Sequence, residues 1–370
     1  MGNGTRQTDG NCCRYLWLTL SMRNERYSII IDTDIGSDCD DTWAINLALK
    51  SPEIDLLALT TVGYKPMVRA RIAKKLSLLA KRPEVPVFAG LAKPIGKSPR
   101  LWSRLCGGFP SFFVERLNLR IQRASLRKEL GQKKLPTNLL HVGNDCAVEK
   151  IIQLAKQHQA IEFVAIGPLS NLATAIQRAP EIIENIKRVT IMGGYLGQLP
   201  TYPNVVCGRR EMSVKHDYNI QADPEAAEIV FLSGLNIRLV TADVTLKTWL
   251  NPKDIQMLRE IKSNAMSAAL KQCKWWSFLQ SLLLKTCCTN NLGFMHDPLT
   301  VSALINEKLC EFKRINVRLY QEQGLLKFGL VPEKGTSSKE VSFECATSVD
   351  CKTFKRFFIS RISMLGERSN

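Results

Sequence analysis

The β-branched run Tyr27–Ile31 stops at five aspartates within ten residues, Asp32, Asp34, Asp38, Asp40 and Asp41, and a helical pattern takes over from Thr42 to Lys50. A strand, a short loop and a helix form half of a βαβ unit, and the chain repeats that alternation. Period and β-branched content predict strands at Ile54–Val62, Pro86–Phe88, Ile161–Ile166, Val189–Met192 and Ile237–Val240. Between them, helices are predicted at about Met67–Leu79, Ala147–Gln157, Asn171–Arg178 and Pro224–Leu232. Parallel strands need crossovers of this length, so the pattern demands a largely parallel sheet. The C-terminal third reads as helices near 252–286 and 299–306, a hairpin at about 314–331, a strand at Val341–Cys345 and a helix at Lys352–Met364. The expectation is an α/β, Rossmann-like architecture: a mostly parallel central sheet flanked by helices, with a small C-terminal β-hairpin/strand and helix portion.

The rhythm breaks between Gly90 and about Leu140, a stretch with Trp102, Gly107-Gly108, Phe112-Phe113 and many arginines. A basic insertion at about 91–140 is expected on a single domain spanning 27–370, with 1–26 as a poorly ordered leader. Inserts of this kind often lie over a site. Charge follows the same division. The chain carries a net +17, yet residues 65–137 hold 18 basic against 3 acidic side chains, while residues 1–64 hold 5 against 9. A uniform polyanion-binding protein is therefore not expected. No RNA- or DNA-binding motif is present, and the simplest account of the excess is a solvated helix face.

The 12 cysteines form no CxxC pair, and the adjacent pairs Cys12–Cys13 and Cys287–Cys288 are poorly disposed to chelate one ion. They read as reduced thiols of a cytoplasmic protein. Tyr15–Leu20 is too short for a secretory h-region, and no run of about 20 apolar residues suits a membrane span, so no membrane partner is expected.

Crowded carboxylates repel unless a cation or a proton compensates them, and hard oxygen ligands at this density suit Ca²⁺ or Mg²⁺. The loop also stands at the carboxyl end of a strand, where open α/β sheets bind ligands. The plainer alternative is that Asp40 and Asp41 merely cap a helix. His296-Asp297-Pro298 divides the same way, since Asp followed by Pro is also an ordinary helix start. Two further segments are a strand-to-helix turn, Gly167-Pro168-Leu169-Ser170-Asn171, and Asp217-Tyr218-Asn219 before a capped helix at Asp223-Pro224.

Taken in order with Ile31-Asp32-Thr33-Asp34, Leu59-Thr60-Thr61-Val62, Val85–Gly90 and Met192-Gly193-Gly194, these elements resemble the inosine/uridine-type nucleoside hydrolase family over about residues 27–90 and 140–365. The resemblance implies an N-glycosidase that releases free base and ribose, chemistry used in purine and pyrimidine salvage, with one tightly held Ca²⁺. It implies Asp34, Asp41, the main-chain carbonyl of Ile166 and Asp297 as metal ligands. Asp34 would also be the general base acting on the Ca-bound water. Asp40 or Asp38, with Asp217 and Asn219, would hold ribose hydroxyls, and His296 would activate the departing base. A nucleoside substrate and a homo-oligomer, dimer or tetramer, are implied as well.

Three features depart from the family pattern. Ser37-Asp38-Cys39 lengthens the acidic loop. Lys65 stands where the family carries an Asn or Asp, and its cation could neutralise the cluster or compete with the metal. No base-contacting histidine motif is recognisable in Leu101–Pro110. These departures keep open a catalytically altered, hydrolase-like binding protein that uses the basic insertion. A haloacid-dehalogenase-like phosphohydrolase with Asp32 as nucleophile is a second alternative. His141, His158 and His216 are expected to be ordinary surface or turn residues.

Overall fold

β-branched and leucine-rich runs that are buried on both faces can only be satisfied inside a sheet covered by helices on each side. The computed structural model, which describes residues 26–96, 111–130, 146–197, 217–283, 290–332 and 339–364, has that arrangement. In chain order the first half contains β1 (Tyr27–Thr33), α1 (Asp40–Lys50), β2 (Ile54–Thr61), α2 (Pro66–Leu79), β3 (Val87–Ala89) and α3 (Ser111–Glu129). There follow α4 (Cys146–Gln157), β4 (Ile161–Ile166), α5 (Ser170–Arg178), β5 (Ile186–Met192), α6 (Tyr218–Ala222), α7 (Pro224–Leu232) and β6 (Ile237–Val240). The remainder is α8 (Ala242–Thr245), β7 (Trp249–Leu250), α9 (Pro252–Arg259), α10 (Asn264–Leu283), β8 (Gly293–Phe294), α11 (His296–Ile305), β9 (Cys310–Glu322), β10 (Leu325–Val331), β11 (Glu340–Val349) and α12 (Cys351–Ser363).

Nine strands make one sheet in the order β3-β2-β1-β4-β5-β6-β11-β9-β10, and β7 pairs with β8 separately. All neighbours are parallel except at β9, which runs against both β11 and β10. The hairpin expected as a small C-terminal portion is thus continuous with the main sheet, because β11 adds in parallel to β6 through Glu344↔Arg238 and Cys345↔Leu239. Its tight turn places Gln323 and Gly324 at positive φ, 53° and 78°, as a two-residue turn matched to strand twist requires.

Alternation along β1 sends Ile29 and Ile31 to one core, shared with α1, α2, α10, α11 and α12, and Ile30 to the other, shared with α4, α5 and α7. The first six strands have the order 3-2-1-4-5-6, and the chain leaves β1 toward β2 but returns beside it as β4. That reversal opens a crevice at the carboxyl ends of β1 and β4, where this topology binds ligands. Among the described residues, no helix is long and apolar enough to cross a membrane.

Candidate active site

The acidic loop leaves β1 at that crevice. Thr33 pairs with Ile166 across β1 and β4, which brings the end of β4, with the Ile166 carbonyl, beside the root of the loop. Gly167 makes the approach possible: a Cβ there would lie 2.8 Å from the Asp34 amide nitrogen and 3.0 Å from Val62 Cγ1. Helix α1 begins earlier than its apolar pattern suggests, so Asp40 and Asp41 form its first turn. Neither is the cap. The N-cap is Cys39, with no side-chain cap bond, and an Asp41 oxygen instead accepts from the Thr33 hydroxyl. The capping alternative fails equally at His296-Asp297-Pro298. The N-cap of α11 is Met295, without a side-chain bond, and Asp297 is buried in the first turn.

Asp34, Asp40, Asp41 and Asp297 are all at most 5% exposed. Asp38, Asp40 and Asp41 each offer an oxygen within 4.8 Å of the other two. At such a separation and an effective dielectric of about 20, each pair of full charges repels by about 3 kcal/mol. Burial, then mutual repulsion, drives the carboxyls upward. Asp40 is raised well above its usual value by desolvation and by Asp297, Asp38 and Asp41. Asp41 is raised by desolvation, Asp34 and Asp38, against partial relief from Thr33 and Arg69, and Asp297 by desolvation, Asp41, Asp38 and Asp34. Asp34 is raised less, because Arg69 and the Ser37 hydroxyl, 2.7 Å from Oδ2, oppose desolvation. The N-termini of α1 and α11 add partial positive charge to the same space. What remains is a close cluster of hard oxygen donors, and a hard divalent cation fits it. Asp38, absent from the ligand set implied by the resemblance, belongs to the tightest triplet.

His296 lies beside this cluster, partly open at its edge. Desolvation pulls its imidazole down to about 4, against the pull of Asp38. Its Nδ1 is 2.6 Å from Thr245 Oγ1, and its ring lies against Phe294 at 5.2 Å between centroids. Asp217 and Asn219 stand at the carboxyl end of β5. Asp217 caps α6, accepting from the Asn219 and Ile220 amides at 2.8 and 3.2 Å, and burial raises its carboxyl to about 6. Asn219 Nδ2 donates to the Met192 carbonyl at 3.1 Å. Asp223 is a plain cap for α7, which also accepts from the Ile95 amide at 2.8 Å.

Two expectations need correction. Lys65 is exposed at the start of α2, and its cation lies over the Tyr64 ring, with Nζ 5.2 Å from the ring centroid. The cation that meets the acidic loop is Arg69, one turn further on, fully buried, bonded to the main chain of Asp34 and ion-paired with Glu115 of α3. Asp32, the nucleophile that a phosphohydrolase would need, points to the opposite face of the sheet. Its Oδ1 is taken by Thr60 Oγ1 at 2.6 Å and Asn171 Nδ2 at 2.9 Å. The turn after β4 therefore supplies a strut, since Asn171 also accepts from the Leu91 amide at 2.9 Å. His158 follows α4 near the surface. His141, His216, the leader and Leu101–Pro110 lie outside the described residues.

Sequence reasoning missed Arg69, Glu115, Asn118, Gln122 and Thr245. A signal existed for most of them. Arg69 is in register with Ile72 and Leu76 on the apolar stripe of α2, and Glu115, Asn118 and Gln122 share a stripe with Leu119 and Leu126 on α3.

Strand order and a cluster of carboxylates at the switch point define an α/β fold with a site compatible with a hard cation. The chain belongs to the inosine-uridine preferring nucleoside hydrolase family, whose sequence model matches residues 29–356. It is 31% identical over 339 residues to the non-specific ribonucleoside hydrolase RihC of Shigella boydii, covering 90% of this chain and 97% of that one. It is 29% identical over 302 residues to uridine nucleosidase 1 of Arabidopsis thaliana, covering 80% and 79%. Among solved structures, the purine-preferring ribonucleoside hydrolase from Gardnerella vaginalis superposes with a TM-score of 0.69 at 26% identity, over 91% of this chain and 98% of that one. Membership makes the chain a nucleoside hydrolase, an enzyme that cleaves the N-glycosidic bond of ribonucleosides.

Proposed function

We propose that this bond is cleaved at the carboxylate cage, with one Ca²⁺ held by Asp34, Asp41, Asp297 and the Ile166 carbonyl. The observation that carries the proposal is the convergence of carboxylates from the β1 loop and from α11 on one crevice. A calcium ion bound there supplies a hard centre for vicinal sugar hydroxyls and lowers the pKa of water. Asp34 acts as the general base. Burial raises its carboxyl above the usual range, with Arg69 and the Ser37 hydroxyl opposing, and a more basic carboxylate is a better proton acceptor. The water oxygen bonds to C1′ as the C1′–N bond breaks, and the electron pair leaves with the base. Positive charge that develops on the sugar ring is stabilised by the surrounding carboxylates.

Asp38 and Asp40, with Asp217 and Asn219, are assigned to the sugar hydroxyls. His296 is assigned to the departing base. Burial disfavours its charged form, and in the tautomer in which Nδ1 accepts from Thr245 Oγ1, 2.6 Å away, Nε2–H is a hydrogen-bond donor to nitrogen that is gaining electrons. The relatives' names divide among uridine, purines and non-specific cleavage, so the proposal commits to the sugar and leaves the base open. A homo-oligomer, dimer or tetramer, in the cytoplasm completes the reading, with its products available for nucleobase salvage. The compartment is supported by Cys39, Cys273, Cys310, Cys345 and Cys351, which are free thiols; burial pushes those of Cys310 and Cys345 up to about 12.

The test is chromatography of free base released from purine and pyrimidine ribonucleosides, before and after chelation. Base release that stops on chelation and returns with Ca²⁺ is the expected result. Turnover unaffected by removal of all divalent ions would sink the metal assignment.

A further inference from the structure

The acidic loop is held almost residue by residue, and the holding groups come from α2 and α3. Arg69 Nη1 donates to the carbonyls of Asp34 and Ile35, the latter at 3.0 Å, and to Ser37 Oγ at 3.1 Å. Its Nη2 is paired with Glu115. One turn along α3, Asn118 Nδ2 donates to the Ser37 carbonyl, and one turn further Gln122 Nε2 donates to the Asp38 carbonyl. Between these anchors Gly36, at φ 110°, leaves no room for a Cβ against Leu119 Cδ2. Arg69, Glu115, Asn118 and Gln122 are all at most 6% exposed, while the acceptor residues Ser37 and Asp38 are half-buried.

The choice of acceptors is the informative point. Main-chain carbonyls of residues 34, 35, 37 and 38 are used, and the clamp engages no carboxylate oxygen of the loop. A helix needing only cohesion would do as well with apolar side chains in that stripe, because buried polar groups contribute little net stability. One of the donors is itself oriented. Trp275 Nε1 of α10 donates to Asn118 Oδ1 at 3.2 Å, which leaves the Asn118 amino group for Ser37. Helix α10 is tied in turn to α1, where Thr42 Oγ1 donates to Gln272 Oε1 at 2.6 Å.

We propose that α3 is a pre-organising clamp for the acidic loop, with Asn118 and Gln122 as positioning residues that fix the main chain at Ser37 and Asp38, and so keep the loop's carboxylates converged against their own repulsion before a cation arrives. The cation half of this statement rests on the proposed function above; the ordering of the loop does not. Without the clamp, part of the cation's binding energy would go into ordering residues 34–39.

The test uses Asn118→Leu/Gln122→Met, which removes both donors at nearly constant volume, beside the wild-type full chain. Amide hydrogen exchange of residues 35–39, measured without divalent ions, should quicken about tenfold or more, as expected for losing bonds to main-chain carbonyls. Calorimetric Ca²⁺ affinity, repeated with Tb³⁺, should weaken about tenfold, while kcat at saturating Ca²⁺ stays within about threefold of wild type. A purely structural role would lower the melting temperature without this split between affinity and kcat. Unchanged exchange in the folded variant overturns the clamp, and faster exchange with unchanged affinity overturns its pre-organising role. If the wild type itself binds neither ion, the proposed function fails and the exchange measurement still decides the ordering. Should the double variant not fold, Gln122→Met alone is read by the same criteria.

Discussion

The acidic loop and helix α3 lie against each other, and they carry charge in opposite ways. In the loop the charged side chains are the groups proposed to work, and Asp34, Asp40 and Asp41 are buried. In α3 the charge is on the outside: Arg116, Arg120, Arg123, Arg127 and Lys128 are exposed, and the groups that meet the loop are Glu115, Asn118, Leu119 and Gln122. Charge that is costly to bury marks a site when it is buried, whereas charge in solvent marks only a surface, however much of it there is. The basic side chains of α3 therefore belong to solvent, and the contribution of α3 comes from its least basic face.

The sharpest way to break this comparison is through the loop. Asp34→Ala and Asp41→Ala should each lower kcat/KM by about 10³-fold or more, since one removes the proposed base and both remove proposed ligands. Full activity in Asp34→Ala, measured by release of free base, would make the buried carboxylates structural and erase the contrast with α3. The next effect is on stability. Arg69→Met leaves Glu115 buried beside Asp34 without its partner, and breaking such a pair costs about 3–5 kcal/mol. Glu115 can recover part of that by taking up a proton, because desolvation already raises its carboxyl to about 7, against the pull of Arg69. Urea unfolding should therefore show a smaller loss at pH 6 than at pH 8. A variant as stable as wild type at both would mean that Arg69 is not needed to offset the loop.

The two regions were also unequally legible. The strand–helix alternation, the acidic cluster and the His296-Asp297 junction could be read because each rests on local pattern or on composition. The parallel order of β1 to β6 followed from the alternation. The addition of β11 in parallel to β6 did not, since pairing between distant strands leaves no local trace. The family pattern points to Lys65 as a cation near the cluster. Arg69 takes that place because the α2 stripe aims it inward, which a charged residue in an apolar register could have signalled. Asn118 and Gln122 were hidden differently, by an arginine-rich helix whose total charge drew attention to the wrong face.

Asp217 sharpens the comparison from outside the loop, as a buried carboxylate whose shift comes from desolvation with backbone amides opposing it. Its folded pKa, about 6, is above the unfolded value of 3.8. The native state thus binds more protons between those values, and this group's contribution falls as pH rises from about 4 to about 6 and is level beyond. Asp217→Asn keeps a capping oxygen for α6 and removes the titration. Wild-type stability relative to the variant should decline across that window by at most about 3 kcal/mol. Denaturant curves at pH 4, 5, 6 and 7 test it. A difference independent of pH would show that burial does not govern this carboxyl.

The smallest effect concerns the outer face of α3. Arg123 and Arg127, with Arg71 of α2, hold the Lys75 ammonium below its usual range, behind a larger contribution from desolvation. These charges are largely exposed, so solvent screens them and their repulsion is worth little. Arg123→Gln should change stability by less than about 0.5 kcal/mol, in the stabilising direction and most visibly at low salt. It should also leave hydrogen exchange of residues 35–39 and turnover unchanged. The sign matters more than the size, because a solvated like-charge cluster relaxes when one member is removed. A loss of turnover in Arg123→Gln with unchanged stability would mean that the outer face meets the substrate, and the division of α3 into a working face and a solvated face would be wrong.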